Sequence, residues 1–179
     1  MMSRIPVLFL LVISFFWGGG AMSQDKSSSS EQVQFSAEDE GVKQPVSIPP
    51  DAGSILKKDS SVLEVLASQN LQPDQLPASW FVASEVHLDG PNRRGLVVIG
   101  KGMLQGANVT TFWVFTQGPN GLKLVLTLPA HDLSIKSTWT KGYRDIQTTM
   151  MTAGRVSTAT LRFDGKEYRV SGDSTKSIH

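Results

Sequence analysis

Three histidines, His87, His131 and His179, are the side chains in this 179-residue sequence whose unperturbed charge changes near neutral pH, and no cysteine is present. His131 stands beside Asp132, the residue types of a general base and the carboxylate that orients it. Neighbouring residues of a strand point to opposite faces, so this pair is not expected to cooperate. His87 and His179 are isolated in sequence, and scattered histidines without cysteine do not give the spacing of a zinc site. Ser171-Gly172-Asp173-Ser174 resembles no nucleophile elbow, because no Gly-x-Ser-x-Gly surrounds it, and it reads as a terminal turn. Asn108-Val109-Thr110 is a glycosylation sequon, which has meaning only in a eukaryotic secretory pathway. The residues therefore assign no catalytic, cofactor-binding or metal role.

Tyr143, Arg144 and Asp145 form the candidate binding surface. They follow the turn residue Gly142, and a turn end can expose an aromatic ring and a guanidinium, the types that carry most energy in binding hot spots. The structural alternative has Tyr143 packed on the sheet edge and Arg144 paired with an acid.

Arg4 precedes an apolar run from Ile5 to Trp17, followed by Gly18-Gly19-Gly20-Ala21-Met22-Ser23. A positive start, a short apolar stretch and a small-residue exit are the parts of a secretory signal peptide, here residues 1–23. The run is shorter than the ~20 apolar residues that cross a bilayer, so no transmembrane segment is expected in the mature chain. Without cysteine the exported domain has neither disulfides nor a lipid-modified cysteine, which fits a bacterial periplasmic or secreted protein better than a eukaryotic extracellular one. Removing Arg4 leaves basic and acidic residues balanced, and the balance leaves no footprint for nucleic acid.

Residues 24–60 are rich in Ser, Glu, Gln and Pro, with isolated apolar residues, and read as a disordered tether to a β-rich domain at residues 61–179. Ser61 and Glu64 have the spacing of a capping box, which predicts one short helix from Val62 to Gln69, closed by Asn70. Beyond it, β-type runs alternate with turn signals. Leu96-Val97-Val98-Ile99 is apolar on both faces and should lie inside. Trp113 and Phe115 fall on one side of the next run, with Phe112 and Val114 on the other. Gly118-Pro119-Asn120-Gly121 predicts a hairpin, as does Ala153-Gly154, and Asp164-Gly165 returns the chain into a last short strand at Glu167 to Val170. Eight strands result, in two sets of four. The fold class is mainly β: two four-stranded antiparallel meanders, packed as a small sandwich or a twisted sheet, with one short N-terminal helix.

Gly142-Tyr143-Arg144-Asp145-Ile146 and Phe163-Asp164-Gly165-Lys166-Glu167-Tyr168 resemble a phrase found in secreted bacterial proteins of unknown function. Together with the repeat spacing, they make residues 80–170 similar to units of the FG-GAP/VCBS propeller type. That resemblance implies blade-like strand sets and a calcium loop. The corresponding stretch, Leu88 to Arg94, keeps Asp89 as its one carboxylate and adds Arg93 and Arg94, so calcium is not carried over and no cofactor is expected. Two blades do not close a propeller. The resulting expectation is a non-enzymatic exported binding or accessory domain for a protein or cell-envelope ligand. The alternatives are an inhibitor of a secreted lysozyme or protease, which would present a rigid loop, and an unrecognised hydrolase, which would close a pocket over converging carboxylates or His.

Overall fold

The computed structural model describes residues 31–38 and 42–177. The expected signal peptide, residues 24–30 and 39–41 of the expected tether, and His179 lie outside the described residues.

Among the described residues, nine strands form two antiparallel sheets. β2 (Phe81–Val86), β3 (Gly95–Gly100), β4 (Thr110–Gly118) and β5 (Gly121–Ala130) lie in sequence order in a four-stranded sheet. β6 (Asp132–Thr140), β7 (Tyr143–Thr152), β8 (Arg155–Phe163) and β9 (Tyr168–Ser177) form the second meander, to whose β6 edge β1 (Gln34–Ser36) adds a fifth strand. The two sets of four read from the sequence are therefore the two sheets, with one strand added.

The four-stranded sheet is buried on both faces because its central strands are apolar on both. Val97, Ile99, Phe112 and Val114 face Leu133, Ile135, Ile146 and Leu161 of the second sheet. Leu96, Val98, Trp113 and Phe115 lie under the two helices, α1 (Pro50–Leu56) and α2 (Ser60–Ser68), which contribute Ala52, Leu56, Val62 and Leu66. Helices, sheet and sheet thus make three layers. The second sheet keeps a wet outer face, and beyond Tyr168 every residue of β9 is exposed.

The tether expectation is corrected over the described part of residues 24–60. Phe35 is 2% exposed and pairs with Leu133, and the backbone ladder extends through Val33 and Ala37. One large apolar side chain on a three-residue strand has no visible periodicity, yet a free sheet edge supplies its backbone partners. The single-helix expectation is corrected as well. Pro50 opens α1, where proline's fixed φ suits the first turn and its missing N–H is not needed. Asp51 then ties this helix to the β4–β5 hairpin: Oδ1 accepts from the amide of Ala52 at 2.9 Å and Oδ2 from that of Leu122 at 2.7 Å. Those amides hold its carboxyl below the ordinary range, the Leu122 bond contributing most.

α2 begins at Ser60, before the expected position, so its N-cap is Asp59 rather than Ser61; Asp59 Oδ1 accepts from the Ser61 amide at 3.0 Å. Its end is as read: Asn70 takes a φ of 54°, and Leu71 donates to the Leu66 carbonyl at 2.9 Å. The last strand is longer than expected. β9 runs to Ser177, so Ser171 to Ser174 lie in a strand and not in a terminal turn.

Candidate binding cleft at the joint of the sheets

Between the Ile135–Ile146 and Trp139–Arg144 pairs, residues 136–138 of β6 face the single residue Asp145 of β7. This bulge interrupts the ladder and bends the strand, and side chains of β7 fasten it from both faces. On one face Arg144 Nε donates to the Lys136 carbonyl at 2.8 Å, and Nη2 lies 3.4 Å from that of Ile135. On the other, Thr138 Oγ1 donates to Asp145 Oδ2 at 2.8 Å, with Arg162 Nε at 3.8 Å from the same oxygen.

Arg144 also joins the sheets. Its amide donates to the Leu88 carbonyl, just past β2, at 2.8 Å, and its own carbonyl accepts from Tyr168 Oη at 2.7 Å. Burial pushes the Tyr168 phenol well above its ordinary range, since the ionised form would lose both water and this bond. Arg144 Nη1 reaches Glu31 Oε2 at 2.9 Å. The other Glu31 oxygen accepts from the backbone amide of His87, with His87 Nδ1 at 3.5 Å. A guanidinium, a carboxylate and an imidazole from three distant parts of the chain thus meet where β2 leaves its sheet.

Two clefts open at this cluster and meet at Glu31 and His87. One, of about 410 Å³, runs from Arg144 past Ser137 to Trp139 and Pro91. The other, of about 460 Å³, is lined by polar residues including Gln32, Lys43, Ser84 and Glu85. Both volumes lie in the range of ligand clefts. Trp139 is 53% exposed, whereas Trp113 is fully buried. The bulge sets Trp139 directly across from Arg144.

The three residues of the candidate surface do not share one face. Arg144 lines the cleft, with its side chain 14% exposed. Tyr143 is half-buried and stacks on Phe163 with ring centroids 3.8 Å apart, and Asp145 is 4% exposed on the opposite side of β7. The alternation of a strand separates them. Glu31, Ser137 and Trp139 are cleft residues that sequence reasoning missed. Trp139 alternates with polar residues in β6 as Leu133 and Ile135 do, the pattern of a core-facing side chain, and nothing in sequence ties Glu31 to a residue 113 positions later.

His131 and Asp132 are nearer than strand geometry allowed, because His131 sits between β5 and β6 rather than within a strand; its Nε2 is 3.8 Å from Asp132 Oδ1. His131 is nevertheless 3% exposed, and its Nδ1 lies 2.8 Å from the Asn108 carbonyl, the geometry of a structural contact. Asn108 of the sequon is exposed and donates from its side chain to the Met151 carbonyl. Asp89, at the place of the calcium loop, is paired with Arg93 at 3.2 Å. Among the described residues, no three His, Asp or Glu side chains gather as metal ligands, and no helix is long and apolar enough to cross a membrane. Comparison with protein-family models, curated proteins and solved structures finds no match.

Proposed function

We propose that this chain is an exported, non-enzymatic binding domain that holds a cell-envelope ligand in the paired clefts around Glu31, His87 and Arg144. One observation carries the reading: a large aromatic side chain, Trp139, stands exposed beside a guanidinium–carboxylate pair that is already fixed in place. A rigid polar pair beside an exposed ring is suited to recognition, because little side-chain freedom is lost when a ligand docks. The same pair is poorly suited to proton transfer. Both Glu31 oxygens accept hydrogen bonds, and among the described residues Glu31 is the one carboxylate lining the Trp139 cleft, whereas glycoside hydrolysis ordinarily uses two. His131, the other candidate base, is closed to substrate.

The test is retention of cell-envelope extract on the immobilised domain, compared with Trp139→Ala. Selective retention by the parent supports the reading. Equal retention by both, or turnover of the retained material, overturns it. Loss of lysozyme or protease activity on adding the domain would favour the inhibitor instead.

A further inference from the structure

We infer that the ligand of the Trp139 cleft is a saccharide, with one sugar ring seated on Trp139 and its hydroxyls directed to Glu31, His87 and Ser137; this rests on the binding reading above. Three features of the cleft select this chemistry. First, charge is cancelled within it: Arg144 and Glu31 lie 2.9 Å apart, so among the described residues that line it no free Lys or Arg remains to select a phosphate or a carboxylate. Four of the Arg144 contacts are to groups of the chain itself, the carbonyls of Lys136, Ile135 and His87 and the Glu31 carboxylate, so it acts as a positioning residue for Glu31.

Second, among the described residues Trp139 is the one Phe, Tyr or Trp that lines the cleft, and its 53% exposure leaves ring surface open. An indole face carries negative quadrupole density, and the C–H groups on one face of a pyranose are weakly positive and apolar. A peptide anchor would call for a deeper apolar pocket than one ring can supply. Third, apart from Gly90 and Pro91, the remaining lining residues carry hydrogen-bonding side chains. Glu31 accepts, Ser137 both donates and accepts, and the His87 ring offers one donor and one acceptor when neutral. A polyol ring matches this set, presenting hydroxyls at its rim and C–H groups on its face.

The second cleft extends the site beyond a single ring. It begins at Glu31 and His87 and continues between Gln32, Lys43, Ser84 and Glu85, where charged side chains of both signs stand beside amide and hydroxyl groups. A chain of two or more sugars can therefore run from Trp139 past His87. No bond is made or broken in this role.

The test titrates the folded domain with neutral oligosaccharides, chitotetraose, cellotetraose and maltotetraose, by isothermal titration calorimetry, which reads binding equally in the parent and in a variant without Trp139. Inorganic phosphate and acetate serve as anion controls. The expected result is saturable binding of at least one oligosaccharide, tighter than its monosaccharide, and weakened at least tenfold by Trp139→Ala while the melting temperature holds. Glu31→Gln keeps the size of the side chain but loses the charge-assisted bonds, and it should weaken binding as well. Absence of saturation with every oligosaccharide, or binding indifferent to Trp139→Ala, overturns the inference. If envelope material is retained through Trp139 but proves to be protein, the binding reading stands and the saccharide inference falls. If nothing is retained through Trp139, both fall.

Discussion

Replacing Phe35 with alanine should destabilise the domain strongly, although residue 35 lies in a Ser-, Glu- and Gln-rich stretch that has the composition of a linker. Phe35 is 2% exposed and belongs to the core shared by both sheets, together with Leu133, Ile135 and Ile146. Truncating a buried phenylalanine costs about 3–5 kcal/mol, the transfer term plus the cavity left behind. β1 is held by only three paired residues, so its strand can partly detach when the ring is lost, and the lower half of that range is expected. For a domain of this size, each kcal/mol lowers the melting temperature by about 2–4 °C, so a shift of roughly 6–15 °C follows. Urea unfolding followed by tryptophan emission reads the free energy directly, with Gln34→Ala as the control, since Gln34 is exposed on the same strand. If Phe35→Ala costs under about 1 kcal/mol, similar to its exposed neighbour, β1 is not docked in solution and the packing of the N-terminal segment is wrong.

Gly95→Ala should cost about 1–3 kcal/mol in urea unfolding, because an added Cβ would lie 2.8 Å from the Phe115 carbonyl oxygen between two paired strands. Gly53→Ala, with open space in the middle of α1, should instead raise stability by about 0.5–1 kcal/mol in the same measurement. The Asp51 carboxyl is held below its ordinary value of 3.8, so its contribution is present above that pH and lost as pH falls through the depressed value. Asp51→Asn should therefore flatten the acid limb of a stability–pH profile, and an unchanged limb would contradict the tie between α1 and Leu122. The folded-state Tyr168 phenol is raised by burial, so its contribution is complete below about pH 10, where an unfolded tyrosine ionises, and is lost as pH climbs. Tyr168→Phe should lower stability at neutral pH by about 1 kcal/mol and show a shallower alkaline decline, both measurable by urea titration across pH.

The strands were legible because their alternation records burial directly. β3 is apolar at successive positions and is buried throughout, and β4 separates Trp113 and Phe115 from Phe112 and Val114 into two different cores. What stayed hidden depended on partners far along the chain. Phe35 reads as a stray hydrophobe until the β6 edge is present to pair with it. Pro49-Pro50 reads as a loop, although a proline at the first helical position is where a helix can begin. The His131–Asp132 approach was missed because a strand was assumed where the chain turns. Of the site, Arg144 was legible as a guanidinium at a turn end, but Trp139 was not, because a bulge carries no periodic signal, and Glu31 was not, because its partner lies 113 residues away.

The bulge connects the fold and the proposed binding cleft in one feature. In an uninterrupted β6–β7 ladder the pairing Ile135–Ile146 would continue through residues 136 and 145, and Trp139 would not stand opposite Arg144. The insertion moves Trp139 to that place, and the guanidinium of Arg144 satisfies carbonyls along the irregular strand while also holding Glu31. Because Arg144 is bonded to both sheets and to the N-terminal segment, the cleft cannot loosen without disturbing contacts that stabilise the whole domain. Such coupling fixes the polar groups in advance of the proposed ligand, and it leaves variation to Trp139, whose exposed ring bears little on stability. In the proposed binding role, changes at that residue and its neighbours Ser137 and Pro91 would alter ligand choice without rebuilding the joint beneath them.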